Sequence, residues 1–234
     1  MHLTSMRRMK WFVDTYLKDK QGDVSVLDLG SHSVQGSYKE LFADSRFHYT
    51  GLDMISGPNV DVVVETPYHW PTIQECSCDV IISGQMFEHN EFFWLTIAEM
   101  GRVLKPDGFI CIIAPYTWPR HRSPVDCYRF DTDGMIAIAK YGNFIPLHAS
   151  ANMAPPGLLK EWCLRRAMGD AMLVAQKPKD WKGVVTSREY TFTPNDYDTL
   201  ATGFVPLQPE RFLEDLKKFL KERYPATVRW LQRR

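Results

Sequence analysis

Residues 24–31 read VSVLDLGS, a short apolar run that stops on a glycine. Val24, Val26, Leu27 and Leu29 make it apolar almost throughout, so the run reads as a buried strand. Gly30 ends it and lets a ligand approach the backbone closely. The next such run, His48-Tyr49-Thr50-Gly51-Leu52-Asp53, ends on a carboxylate 23 residues after Gly30. An acid at about that distance accepts hydrogen bonds from both hydroxyls of a ribose. The pair predicts a ligand that contains adenosine. Dinucleotide binders also need G-x-G-x-x-G, so that a helix N-terminus meets a pyrophosphate. Here the loop is Gly30-Ser31-His32-Ser33-Val34-Gln35-Gly36, with His32 at the second glycine position. A ligand without pyrophosphate fits it better.

Working outward, Val60–Val64, Asp79–Ser83 and Phe109–Ala114 are further strand-like runs, and 144–149 and 171–176 follow them. A helical stripe at Met9, Phe12, Val13, Tyr16 and Leu17 precedes the first strand. Residues 36–42 read as a short helix. Residues 91–104 read as a longer one, with Phe92, Trp94, Leu95, Ala98, Val103 and Leu104 inward. Pro106-Asp107-Gly108 is turn chemistry. Thr132 is placed to cap a helix through Tyr141, which Gly142 ends. Strands alternating with helices predict an α/β fold with a mostly parallel sheet covered on both faces. Ligands then bind beyond the strand C-termini. The expected division is an N-terminal helix (1–21), a ligand-binding domain (22–177) and a C-terminal appendage (178–234). A second amphipathic stripe over 210–224 makes the appendage helical. It is expected to fold back on the core or onto a second copy, as in a homodimer.

The chain has 234 residues, with 28 Lys plus Arg balanced by 28 Asp plus Glu. That balance argues against wholesale nucleic-acid binding, which needs a basic excess. From Pro209 onward eight Lys or Arg face four Asp or Glu, a solvated helix face rather than an RNA site. No stretch approaches the ~20 apolar residues of a membrane span, and Asp14 interrupts the only apolar part of the N-terminus. The five cysteines, Cys76, Cys78, Cys111, Cys127 and Cys163, make no pair of C-x-x-C motifs. A reducing cytoplasm is the expected compartment. Cys76 and Cys78 alone leave a tetrahedral metal site half empty, and no cluster of carboxylates and histidines has ligand spacing. No metal is expected.

Four segments together carry a resemblance: VLDLGS at 26–31, YTGLDM at 49–54, DVIISGQMFEH at 79–89 and MGRVLKPDGFICIIAP at 100–115. In this order and spacing the chain resembles the class I S-adenosylmethionine-dependent methyltransferases over roughly residues 22–177. The resemblance implies a Rossmann-like, doubly wound, seven-stranded sheet whose last strand is antiparallel. It implies S-adenosylmethionine as cofactor, with Asp28, Gly30 and Ser31 near its methionine part. Asp53 takes the ribose hydroxyls, Met54 packs on the adenine, and Glu65 lies near the adenine amino group. Ser83, Gln85 and Met86 line the sulfonium region. Segments 30–38 and 123–134 further resemble a bacterial branch associated with surface-polysaccharide and natural-product methylation.

The acceptor side is read from Trp118–Phe130, which follows the fifth strand and mixes His121, Arg120, Arg122, Arg129 and Asp126 on a proline-stiffened frame. For a hydroxyl acceptor His121 is the first choice of base, Asp126 the second, and His89 the next. Arg122, Tyr128 and Arg129 are the candidate acceptor-binding residues. Guanidinium groups favour carboxylate and phosphate, so a small or sugar-like acceptor with an anionic group is expected. Glu88 is read as a residue favourable at the start of the next helix. The alternatives are an NAD-dependent oxidoreductase, against which the failed glycine pattern counts, and a catalytically inactive binding module with the same fold.

Overall fold

The computed structural model describes residues 3–33, 36–152 and 169–186. The stripe at 210–224, Cys163 and the appendage from residue 187 on lie outside the described residues.

Seven strands form one sheet: β1 (Val24–Leu29), β2 (Phe47–Asp53), β3 (Val62–Val63), β4 (Cys78–Gly84), β5 (Leu104–Thr117), β6 (Ile145–Asn152) and β7 (Gly169–Gln176). Their order is β3-β2-β1-β4-β5-β7-β6. The strands from β3 to β5 pair in parallel, and β7 runs antiparallel to both β5 and β6. This is the expected Rossmann-like sheet with an antiparallel last strand. The chain steps outward from β1 to β2 and β3, then returns to the other side of β1 as β4. The reversal opens a crevice at the C-terminal ends of β1 and β4. Leu29 pairs with Leu52 on one side and Ser83 on the other, so the three strands that border the crevice end level.

Alternation along the strands sorts the core onto two faces. Val24, Val26, Val80, Ile82, Cys111, Ile113, Met172 and Val174 meet Met9 and Phe12 of α1 (Leu3–Phe12) and Leu17 of the π-helical turn that continues it. The N-terminal helix is therefore part of the same core. Leu27, Leu29, Ile81, Ile110, Ile112 and Leu173 meet α2 (Phe93–Val103) and α3 (Thr132–Tyr141) on the other face. Both faces being covered explains why these strands read as continuous apolar runs.

Several boundaries differ from the expected ones. Only Val62 and Val63 of the third run pair, at a sheet edge where Val63 is exposed. Strand β5 starts directly after α2, and Pro106-Asp107-Gly108 forms a bulge in it, with Asp107 at φ +59°. The α3 cap is Asp131, whose carboxylate accepts from Gly134 N at 3.0 Å, and Thr132 is the first helical residue. α2 begins at Phe93, and its buried face is Ile97, Met100 and Val103. Phe92, Trp94 and Leu95, expected inside, are 46%, 37% and 43% exposed. The start of the expected appendage packs on the core: Trp181 stacks on Phe144 and its Nε1 donates to Gly142 O at 2.7 Å. Among the described residues no helix is long and apolar enough to cross a membrane.

Candidate active site

The crevice is built from the ends of β1, β2 and β4. Gly30 takes φ +75°, and a Cβ there would stand 2.8 Å from Met86 Cβ and Cγ. A side chain at residue 30 would fill the crevice and strain the backbone. The amides of Gly30 and Ser31 donate to Leu52 O at 2.9 and 3.2 Å, which folds the loop over the end of β2. Asp53 ties the two loops together. Its carboxylate accepts from His32 N at 3.0 Å and from Ile55 N at 3.1 Å. Each oxygen keeps a lone pair for a further donor. The His32 ring lies against Gly57, so the departure from the glycine pattern does not block the crevice.

A cavity of about 100 Å³ lies at the switch point, lined by Asp28, Gly30, Ser31, Tyr38, Gly84 and Gln85 among others. Asp28 sits on its floor, buried, and among the described residues its side chain's one hydrogen-bond partner is Tyr49 Oη. Burial, opposed by that bond and assisted by nearby Asp53, pushes its carboxyl up to about 7. The hydroxyl of Ser31 is buried with no partner among the described residues. Tyr38 Oη shares a hydrogen bond with Ser5 Oγ of α1 and closes one wall. Gln85 holds φ +61° and donates from Nε2 to Asp170 Oδ1 at 3.0 Å, so its amide is fixed by β7.

The remaining cofactor-side residues divide by environment. Met54 is half exposed, as an apolar platform beside Asp53 must be before a ring covers it. Glu65 is exposed just past β3. The hydroxyl of Ser83, expected at the ligand, instead donates to Leu29 O at 3.1 Å and clamps β4 to β1. Its contribution is the shape of the crevice. Asp28 offers a buried acceptor, Ser31 a hydroxyl without a partner among the described residues, and Gly30 leaves the space. These three residues fit the ammonium and carboxylate end of S-adenosylmethionine.

A second cluster lies beyond β4, in the single 3-10 turn Phe87–His89. The loop after β5 is strapped to this turn: Glu88 O accepts from Cys127 N at 2.7 Å and from Tyr128 N at 3.3 Å. The strap brings His121 to the turn. The rings of His89 and His121 meet edge to face at 4.9 Å. Their Nε2 atoms lie 3.5 and 3.9 Å from Glu88 Oε1. Glu88 is 0% exposed, and neither carboxylate oxygen has a hydrogen-bond partner among the described residues. Burial raises its pKa to about 8. Burial also lowers that of His89, which disfavours the charged ring. The expectation that no carboxylate and histidines come together is thus corrected. The spacing hid the cluster because His121 joins it from another strand's loop.

Two other expectations change. Asp126, the second choice of base, is bonded by Arg129 at 2.5 and 2.9 Å and by His121 N at 2.7 Å. Hydrogen bonds from Arg129 hold its carboxyl well below the ordinary range, so it is a poor proton acceptor. Arg129, expected to bind the acceptor, spends its guanidinium on Asp126 and on the carbonyls of Trp118, Pro119 and Tyr128. Tyr128 donates to Glu91 O at 2.7 Å and packs on Phe93, which is a structural role. Arg120 and Arg122 are exposed, and neither makes an ion pair or hydrogen bond among the described residues. Glu88 was the residue that sequence reasoning misjudged. The helix whose start it was assigned to begins only at Phe93.

Residues 27–112 match the model of a family described as a methyltransferase domain. No curated protein matches the chain. Among solved structures, the 1,6-didemethyltoxoflavin-N1-methyltransferase of Burkholderia thailandensis, solved with S-adenosylhomocysteine, is similar at 15% identity. It covers 74% of this chain and 78% of that one, with a TM-score of 0.55. A putative methyltransferase of Bacillus halodurans is 10% identical over 74% of this chain and 98% of that one, at a TM-score of 0.55. The [4+2]-cyclase SpnF is 17% identical over 74% and 81%, at 0.53. The strand order and these solved structures show a Rossmann-like fold, and residues 27–112 within it match a methyltransferase domain.

Proposed function

We propose that the chain methylates a hydroxyl of a small or sugar-like acceptor that carries an anionic group. The observation that carries the cofactor half is Asp28, a buried carboxyl on the floor of a glycine-opened crevice with no cation among the described residues. The cofactor, when bound, supplies a methyl group already activated on a sulfonium. The chain's own residues do the rest. Asp28 accepts the methionine ammonium, and Ser31 offers its hydroxyl to the methionine carboxylate. Asp53 takes the ribose hydroxyls on its free lone pairs. Met54 packs on the adenine, with Glu65 beside its amino group. Gln85 and Met86 line the sulfonium region and exclude water, and alignment contributes the larger part of the rate.

A hydroxyl acceptor must also lose a proton. His89 Nδ1 is 2.5 Å from Val125 O, and His121 Nδ1 is 3.2 Å from Pro119 O. A carbonyl oxygen only accepts, so each Nδ1 carries the hydrogen and each Nε2 is left with a lone pair. The proton is taken at this cluster, with His121, the more accessible of the two rings, as the proton-accepting group. Arg120 and Arg122 lie on the same loop, exposed, unpaired among the described residues and suited to phosphate or carboxylate.

The similarity to a cyclase is a reminder that the fold alone does not select the chemistry. Calorimetric titration with S-adenosylmethionine, S-adenosylhomocysteine and NAD separates the readings. The first two should bind and NAD should not. Asp53→Ala should weaken binding of both by at least tenfold, because charge-assisted hydrogen bonds worth about 1.5–3 kcal/mol are lost. Binding of NAD, or unchanged affinity in a folded Asp53→Ala protein, would overturn the cofactor assignment. With an anionic acceptor in hand, Arg122→Ala should raise its KM severalfold at constant kcat. If KM is unchanged, the arginines are a solvated surface.

A further inference from the structure

The cluster around Glu88 has a property that proton transfer does not require. Glu88, His89 and His121 each bring one atom that can ligate a metal within 4.8 Å of the other two. The Nε2 atoms of both histidines face the same Glu88 oxygen, at 3.5 and 3.9 Å. The two imidazoles are held in the tautomer that points a lone pair inward, because Val125 O and Pro119 O occupy the Nδ1 hydrogens. The carboxylate is wholly buried, and both its oxygens lack a hydrogen-bond partner among the described residues. Such a group is costly to desolvate unless it meets a proton or a cation.

We propose that Glu88, His89 and His121 form a binding site for one divalent transition-metal ion of the zinc type. Two imidazole nitrogens and one carboxylate oxygen are the donor set of open zinc sites, in which a fourth position is left to water or substrate. A tetrahedral ion at about 2.0–2.1 Å holds its donors about 3.4 Å apart. The observed 3.5 and 3.9 Å between the Nε2 atoms and Glu88 Oε1 are close to that spacing, and the third separation is within 4.8 Å. The outer shell is already in place, with a backbone carbonyl on each histidine, which is how metal-bound imidazoles are oriented. Asp126 and Arg129 brace the His121 backbone, and Glu88 O anchors Cys127 and Tyr128. The first ligand pair comes from the end of β4 and the third from the loop after β5, so the ion would cross-link two loops at the crevice. His121 Nε2 has one lone pair, so its role as proton acceptor belongs to the ion-free protein and its role as ligand to the loaded one. This site does not depend on the methyl-transfer reading, and its test uses neither cofactor nor acceptor.

The full chain, stripped with chelator and dialysed, is titrated with Co²⁺ and followed by visible absorption, and with Zn²⁺ followed by calorimetry and thermal melting. One ion per chain is expected, with a visible Co²⁺ band bleached by Zn²⁺ and a rise in Tm. His121→Ala and Glu88→Gln should each weaken uptake at least a hundredfold. His121 is on a loop, so its variant keeps the core intact, and circular dichroism checks both. Absence of stoichiometric Co²⁺ or Zn²⁺ uptake by the wild type overturns the site. So does uptake that both folded variants retain, which would place the ion elsewhere, at Cys76 and Cys78 for example.

Discussion

Asp28→Asn is expected to lower affinity for S-adenosylmethionine at least a hundredfold while making the ligand-free protein more stable at neutral pH. The two effects share one cause. The Asp28 carboxyl is buried, and among the described residues only Tyr49 donates to it, so in the free protein its ionised form is unfavourable. Burial pushes its pKa up to about 7, from an ordinary carboxyl value near 3.8. Between about pH 4 and 7 the folded chain holds a proton that the unfolded chain has released. Stability therefore falls as pH rises through that window, by a few kcal/mol, and levels off above it. The groups that face Asp28 are Tyr49 from β2, Tyr38 and Asp53, and none of them supplies a positive charge. An asparagine keeps an oxygen for Tyr49 to donate to and carries no charge, so its stability curve should be flatter. The ligand's ammonium meets a carboxylate in the wild type and a neutral amide in the variant, hence the loss of affinity. Thermal melting at pH 5, 6, 7 and 8, with calorimetric titration at pH 8, measures both. Parallel melting curves for the two proteins, or equal affinity, would sink the assignment of Asp28.

The parts of this molecule that were legible in its sequence are those set by local pattern. Buried strands read as apolar runs because α1 on one face and α2 with α3 on the other cover the sheet. Asp28, Gly30 and Asp53 were legible because a strand's end and a glycine's backbone freedom fix where they stand. The strand order then brings them to one crevice. The loop 118–130 was legible only as composition. Three arginines near an aspartate suggested an anion site, but which arginine pairs inward depends on how the loop is strapped to the turn after β4. That strap runs between Glu88 O and the amides of Cys127 and Tyr128, nearly forty residues away in sequence. Arg129 is consumed by Asp126 in an i,i+3 pair, and Arg120 and Arg122 are left outward. Glu88 was misread for a similar reason. A Glu-His before a helix pattern looks like a helix start, yet Asn90, Glu91 and Phe92 intervene before α2, and the turn aims the carboxylate inward. The inward face of α2 was also misjudged, since Phe92, Trp94 and Leu95 are apolar but lie off the stripe that Ile97, Met100 and Val103 define.

Gly84 shows how the site and the fold are joined. It ends β4 at the crevice, and a Cβ there would stand 1.9 Å from Tyr38 Oη and 2.5 Å from two atoms of its ring. Tyr38 is fully buried, and its hydroxyl is bonded to Ser5 of α1. The ring cannot yield without releasing that bond and shifting either α1 or the turn at 38–42. Gly84→Ala should therefore cost about 3 kcal/mol, at the upper end of ordinary overpacking, and should also weaken S-adenosylmethionine binding, because Tyr38 and Gly84 both line the cavity. Tyr38→Phe alone should cost about 1 kcal/mol for the lost hydrogen bond. Since the phenol oxygen makes the closest clash, the double variant should be more stable than the sum of the two losses predicts, by about 1 kcal/mol or more. Denaturant unfolding of the four proteins measures the coupling. Strict additivity would mean that the strain is absorbed by the backbone of β4 rather than by Tyr38. The wall of the cavity would then be a passive surface and not the link between the N-terminal helix and the cofactor.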